Sequence, residues 1–201
     1  MAGIREQRQQ RTREALLDAA ARVFASHGYG GASIPEIARE AGLSTGAIYS
    51  NFSGKEELFL AMMGRSVQAG AEARAKSVAN VTDDRDRLIE ELVATWTDTV
   101  DDGPQTVILM AEFWLYALRH PPYDEVMAGF LAAVRSNLAT TMTEAAAEID
   151  DDLAAQLATA VQALSYGHAM QRLVDPDAAP HRQLVESIAW LVRGATSTPD
   201  R

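Results

Sequence analysis

Residues 32–58 read A-S-I-P-E-I-A-R-E-A-G-L-S-T-G-A-I-Y-S-N-F-S-G-K-E-E-L, and this stretch decides the fold. Ser33 followed three residues later by Glu36 predicts a capping box at the start of a helix. Gly42 supplies the left-handed residue that ends this helix, and Ser44 can cap the next one. Two short helices joined by a tight turn indicate a helix-turn-helix, whose second helix enters the major groove of DNA.

The outward face of the second helix carries no charge. Ile48 and Phe52 are four residues apart and are expected to face inward, whereas the other positions are small or form hydrogen bonds. A merely solvated helix would more often carry Glu and Lys there, while hydroxyl and amide groups suit base edges and phosphates. The residues that we predict to contact DNA are Ser33, Ser44, Thr45, Gly46, Tyr49, Ser50, Asn51 and Lys55.

A long helix is predicted to begin after Ser53, with Ser53 and Glu56 as a second capping box, and to end near Val78. Lys55 lies in its first turn, where the helix dipole disfavours a cation unless an anion is close. A DNA phosphate would provide that anion. A solvated lysine is the alternative.

The segment S-T-G-A-I-Y-S-N-F-S-G-K-E-E-L-F (44–59), preceded by I-A-R-E-A-G-L (37–43), resembles the signature of the TetR family of transcriptional regulators. The resemblance is close over about the first 60 residues. It implies an all-α fold, with a three-helix DNA-binding domain at 1–55 and a larger helical domain for ligand binding and dimerisation at 56–201. Asn51 departs from the His or Tyr that members often carry, which affects the DNA sequence that is read.

Charge is divided along the chain. The net charge of the 201 residues is −10, but residues 1–55 carry seven Lys/Arg against five Asp/Glu. The basic balance therefore belongs to the predicted DNA-binding domain, and local charge governs phosphate binding because distant exposed charges are screened.

The composition also excludes several kinds of covalent link, metal site and membrane segment. The chain has no cysteine, which excludes disulfides and thiolate metal sites. It has no apolar run of 18 residues, and its N-terminal stretch is polar. A soluble, cytoplasmic protein with no membrane partner is therefore expected.

The first ten residues lack an apolar face, so we predict a loose arm at 1–10 and a helix from Thr12 that ends at Gly28. The arginines of the arm either reach phosphates or a minor groove, or belong to a solvated terminus. Both interpretations remain open.

Five more helices are predicted after residue 80, at about 83–100, 105–120, 123–148, 150–174 and 180–195. Aromatic residues and methionines are concentrated there, as in apolar ligand pockets, although each could simply fill the core. The predicted ligand-binding residues are Trp96, Met110, Phe113, Trp114, Phe130, Tyr166 and Met170. Glu112 lies inside an apolar helix and needs a partner, for which Arg119, Arg135 or a ligand amine are candidates.

The last two helices carry more apolar surface than one domain easily buries, and exposed apolar patches commonly form interfaces. The predicted dimer interface consists of Leu153, Leu157, Val161, Leu164, Leu184, Ile188 and Leu191. A two-fold dimer would present two reading helices to successive major grooves, which predicts a palindromic operator.

Motifs typical of enzymes are missing from the sequence: it has no Gly-rich phosphate loop, no HExxH and no serine elbow, and its four histidines lack ligand spacing. We expect no catalytic site, no metal site and no cofactor. The sequence predicts a dimeric, ligand-responsive DNA-binding regulator, a repressor released from its operator by a small, largely apolar inducer. The alternative is a helical module that binds a small molecule or a protein and does not read DNA.

Overall fold

The computed structural model describes residues 2–78, 104–146 and 148–196. These residues form helices and connecting loops without a strand, which confirms the predicted all-α fold. The helices are α1 (Ala2–Gly31), α2 (Ile34–Glu40), α3 (Thr45–Tyr49), α4 (Lys55–Val78), α5 (Pro104–Arg119), α6 (Tyr123–Ala145), α7 (Asp151–Val174) and α8 (His181–Thr196). The helix predicted at 83–100, with Trp96, lies outside the described residues.

The helix-turn-helix forms as its capping residues predict. The Ser33 hydroxyl accepts from the Glu36 N–H while the Glu36 carboxylate accepts from the Ser33 N–H, so the capping box is present. Gly42 has φ +67°, the left-handed conformation that turns the chain out of α2. The Ser44 hydroxyl then accepts from the Ala47 N–H, 3.2 Å away, at the start of α3.

Two expectations about helix starts are corrected. Residues 2–10 are not a loose arm but the first turns of α1, since Arg, Glu and Gln favour helices and Gln10 donates to Glu14 at 2.6 Å. At α4 the helix begins at Lys55, one residue later than a cap at Ser53 implies. Glu57 rather than Glu56 therefore reaches back to the Ser53 N–H, at 2.7 Å.

Two hydrophobic clusters hold the described helices together. The first includes fully buried residues from α1 to α4 and continues into α5 and α6, with Phe24, Ile48, Phe59 and Phe113 all at 0% exposure. The second joins α6, α7 and α8 around Val161 and Ile188. The division of the chain at 55/56 stays a prediction, and the first cluster packs across it.

The C-terminal helices follow their sequence signals closely. The Asp150 carboxylate caps α7 by accepting from the Leu153 N–H at 2.8 Å, and α7 ends at Val174, as predicted.

Among the described helices none has the length and apolarity that a membrane crossing requires.

Candidate nucleic-acid interface and sensor domain

The face of α3 that points away from the protein is uncharged and open to solvent. Thr45 and Gly46 are exposed, and Tyr49 is 61% exposed although it is a large aromatic residue. Ile48, which is fully buried, and Phe52 anchor the same short helix to the core from the opposite side. The arrangement presents a hydroxyl, a bare backbone and a phenol on a rigid support, which are groups that contact phosphates and base edges.

The other predicted DNA-contacting residues of this region take part in local hydrogen bonds. The Ser33 and Ser44 hydroxyls cap α2 and α3, as described above. At the end of α3 the Ser50 hydroxyl and the Asn51 amide both donate to the Ala47 carbonyl, at 3.0 and 2.8 Å. These four side chains shape the helix-turn-helix, and direct DNA contact by them stays a prediction.

Lys55 has a structural role that neither sequence interpretation included. Its ammonium group donates to the backbone carbonyls of Tyr29 at 2.9 Å and Ala32 at 3.2 Å, and it lies 4.5 Å from the centroid of the Tyr29 ring. It thereby ties the start of α4 to residues 28–32, which begin at the kink of α1 at Gly28 and form the loop between the regular part of α1 and α2. An ammonium has three donors, so a phosphate contact through the third is still a prediction.

Arg13 supports the end of α3, a role that the sequence does not reveal. Its guanidinium donates to the Asn51 carbonyl at 3.2 Å and lies 4.3 Å above the centroid of the Phe52 ring. In the sequence Arg13 is only one of several basic residues near the N-terminus. No local pattern links it to Asn51, since the two residues are 38 positions apart.

Six of the predicted ligand-binding residues lie in the described part of the chain, and they differ in burial and surroundings. Met110 and Phe113 are buried in the first cluster, where the Phe113 ring lies 4.7 Å from that of Phe59, so they fill the core. Trp114 and Tyr166 meet edge to face at 5.6 Å, and burial raises the pKa of Tyr166 to about 12. Phe130 is half-buried between the two clusters and Met170 is 43% exposed. A common ligand site for these residues stays a prediction.

Glu112 finds a partner that was not among the three candidates. Its carboxylate accepts a hydrogen bond from the backbone N–H of Tyr29, which lies just beyond the kink in α1. Arg135, one of the expected partners, instead donates to the Gln162 side chain at 3.1 Å. The Tyr29 side chain is 2% exposed, so Glu112 binds the backbone of a residue that is itself part of the core.

Four predicted interface residues prove to be core residues of the protomer. Leu157, Val161, Leu184 and Ile188 are at most 5% exposed and pack in the second cluster. Within the protomer they pack against α6 and one another, and their contact with another chain stays a prediction. Of the remaining three, Leu153 and Leu191 are half-buried, and Leu164 is 42% exposed.

An open groove with a volume of about 600 Å³ runs between α7 and α8. Small residues form much of its wall, and the Leu164, Leu184 and Leu191 side chains line it too. His168 also faces the groove, and its buried Nε2 makes no hydrogen bond within the described part of the chain. Burial lowers the pKa of His168, because the charged imidazolium is the form that desolvation disfavours.

The fold and the helix-turn-helix geometry agree with comparisons to known proteins. Residues 16–62 match the family model described as bacterial regulatory proteins, tetR family, and residues 85–195 match the BetI-type transcriptional repressor C-terminal model. The chain belongs to the TetR family. The resemblance seen in residues 37–59 is thus confirmed, and the family consists of transcriptional regulators.

The chain resembles several members of the TetR family. The transcriptional repressor NicS of Pseudomonas putida is 29% identical over 126 residues, which are 63% of this chain and 51% of that protein. The nicotine-responsive repressor HdnoR of Paenarthrobacter nicotinovorans is 25% identical over 88% of this chain and 91% of that protein. The chain spans about half the length of NicS, the first of the curated relatives that it matches, and less of several others.

A solved structure extends the likeness of fold over most of the chain. FadR of Bacillus subtilis, solved in complex with stearoyl-CoA, superposes with a TM-score of 0.66, over 93% of this chain and 99% of that one. Its sequence identity is 17%, so this likeness concerns the fold alone.

Proposed function

We propose that this chain is a dimeric repressor that binds a palindromic operator through α3 and is released by a small, largely apolar inducer. The observation that carries the proposal is the exposed, uncharged face of α3, with Tyr49 at 61% exposure above the buried Ile48. The phenol of Tyr49 is open to contact a phosphate or a base edge. Membership of a family of regulators supports the same conclusion.

The reading helix is rigid where it would meet DNA. Caps hold both of its ends, since Ser44 satisfies the first turn while Arg13 binds the carbonyl of Asn51 just beyond the last turn. Side chains on a fixed helix meet a groove with little loss of conformational entropy. Tyr49 and Thr45 are the residues that we assign to phosphate or base contacts, and Gly46 would allow close approach of the backbone.

Dimerisation would cover the groove between α7 and α8. The groove is lined by small residues that allow close approach of a second pair of helices, among them Ala160, Ala163 and Gly167. Leu164 and Leu191 would supply the apolar contacts, in place of the four residues that are buried in the core. Two protomers related by a two-fold axis would then present their reading helices about 34 Å apart, one turn of DNA.

Induction would be a shift between two arrangements of the dimer. An inducer that binds better when the reading helices are farther apart lowers the population that fits the operator. By thermodynamic reciprocity, operator DNA must weaken inducer binding by the same factor. The nicotine response in the name of HdnoR and the stearoyl-CoA in the FadR structure support a small-molecule inducer for this chain, whose identity is open.

Operator binding is tested by fluorescence anisotropy with labelled DNA from the region flanking the gene, at two salt concentrations and against a scrambled competitor. We expect competitor-resistant binding of two protomers to a palindrome.

Tyr49→Ala should weaken binding about tenfold or more, since this variant has neither the aromatic ring nor the hydroxyl, and Tyr49→Phe should weaken it less. Unchanged affinity and salt slope for Tyr49→Ala would refute the assignment of α3 as the reading helix. If the unaltered protein binds neither this region nor distant sites, a helical module that does not read DNA becomes the better account.

A further inference from the structure

Glu112 reaches from α5 into the helix-turn-helix domain. Its Oε2 accepts from the backbone N–H of Tyr29, a residue 83 positions earlier in the chain. The adjoining residue, Gly28, has φ +69° and ψ 173°, a conformation that is essentially restricted to glycine. A Cβ at Gly28 would lie 2.8 and 2.9 Å from the two oxygens of Glu112, so the missing side chain is what lets the carboxylate approach the backbone.

The same residue, Tyr29, is held through its carbonyl by the start of α4. The Tyr29 carbonyl accepts from Lys55 at 2.9 Å, and Lys55 also binds the carbonyl of Ala32, the residue just before the cap of α2. The chain between Gly28 and Ala32 is therefore fixed at its first peptide by α5 and at its last by α4. Since Ser33 follows directly as the cap of α2, this short loop determines where the helix-turn-helix begins.

Aromatic contacts bind α5 to the same loop. The Tyr29 ring lies 5.0 Å from the rings of both Phe113 and Tyr116, which come from α5, and 5.1 Å from that of Phe59 in α4. The Tyr116 hydroxyl donates to Glu56 at 2.9 Å, in the first turn of α4. A displacement of α5 would therefore move the loop and the start of α4 together.

We propose that Glu112 is a positioning residue for DNA reading, which locks the loop between α1 and α2 in the arrangement that places α3 for the operator. The inference rests on the proposed function, and it gives the C-terminal helices a direct connection from α5 to α2 that does not pass along α4. An inducer that shifts α5 would break the Glu112–Tyr29 hydrogen bond and release the helix-turn-helix. In this role Glu112 acts through the Tyr29 backbone and needs no contact of its own with DNA or inducer.

The first test measures operator affinity in a series at position 112. Glu112→Ala removes the acceptor and should weaken binding about fivefold to tenfold, because a smaller fraction of the protein holds the reading arrangement. Glu112→Gln keeps an acceptor oxygen and should stay within about twofold of the unaltered protein. Glu144→Ala, an exposed carboxylate on α6, is the control for loss of charge and should have no effect. Equal affinity for Glu112→Ala and the unaltered protein would overturn the proposal, as would equal losses for Ala and Gln.

The second test needs no DNA, so it separates this proposal from the proposed function. Hydrogen–deuterium exchange should be faster in Glu112→Ala at the Tyr29 amide and through residues 32–49, and unchanged in α7. A general acceleration over all helices, or none at residues 32–49, would overturn the positioning role. If Glu112→Ala does not fold, Glu112→Asp is measured in both assays, because its shorter side chain withdraws the carboxylate while keeping the charge. If the unaltered protein binds no operator but the exchange result is as expected, the proposed function is refuted, while the structural role of Glu112 at Tyr29 is retained.

Discussion

Replacing Lys55 by Met should destabilise the protein even without DNA. The change removes two hydrogen bonds, to the carbonyls of Tyr29 and Ala32, and the interaction of the ammonium with the Tyr29 ring. Lys55 is half-buried, so each hydrogen bond is worth about 1 kcal/mol and the ring interaction about 0.5 kcal/mol. Because Met retains most of the aliphatic stem, the expected loss in the free energy of unfolding is about 2–2.5 kcal/mol.

That loss is measurable by thermal unfolding followed by circular dichroism. For a chain of this size 1 kcal/mol corresponds to roughly 2–4 °C, so the Tm should fall by about 4–10 °C. Protein concentration must be held fixed because dimerisation would itself raise the Tm. Arg182→Met on α8 is the matched control, since it removes one positive charge from a side chain that is 84% exposed and should leave the Tm nearly unchanged.

The same variant tests whether Lys55 also binds a DNA phosphate. If it does, Lys55→Met should reduce the slope of log affinity against log salt by about 0.9 for each protomer, and by about 1.8 for the dimer. A Tm within about 1 °C of the unaltered protein would refute the structural role derived from the two carbonyl hydrogen bonds. A lower Tm with an unchanged salt slope would restrict Lys55 to that structural role and remove it from the predicted DNA-binding residues.

Two further predictions concern buried groups. Ile48→Ala should lower the free energy of unfolding by about 2–4 kcal/mol in chemical denaturation, because Ile48 is fully buried beneath the exposed face of α3 and the shorter side chain leaves a cavity. A decrease of less than about 0.5 kcal/mol would contradict that packing. His168 should make stability depend on pH: its folded pKa lies below the ordinary 6.5, so the unfolded chain binds the proton more readily. The stability that His168 contributes should therefore be fully present above about pH 6.5 and be lost as the pH drops below it. His168→Gln should reduce the difference in Tm between about pH 7 and pH 5. An equal pH dependence in the variant would exclude His168 as its source.

Local signals in the sequence are sufficient to predict the helix-turn-helix. The capping box of Ser33 and Glu36, the left-handed Gly42 and the cap at Ser44 each act within four residues, and the structure contains all three. The burial of Ile48 and Phe52 follows from helical spacing in the same way. Where a signal depends on the first residue of a helix, as at Ser53, a shift of one position moves the partner from Glu56 to Glu57.

Periodicity cannot decide which apolar face of α7 and α8 is internal. Leu157 and Val161 are four residues apart, which identifies a stripe, but a stripe packs equally well against the same chain or a second copy. In the structure this stripe faces α6 and α8 of its own protomer, and the groove beside it is lined by smaller residues. The number of helices available to cover a face is a property of the tertiary fold, and no window of sequence contains it.

The interactions that the sequence does not predict are those that join distant parts of the chain. Arg13 to Asn51, Lys55 to Tyr29 and Glu112 to Tyr29 span 38, 26 and 83 positions, and in each a charged side chain binds a backbone group. Backbone donors and acceptors are the same in nearly every residue. The sequence therefore contains no pair of complementary side chains that would reveal such hydrogen bonds. They also hold the helix-turn-helix against its surroundings, since two of the three meet at Tyr29. A regulator needs long-range connections of this kind, because a ligand bound among the C-terminal helices can affect DNA only through groups that bridge the two regions.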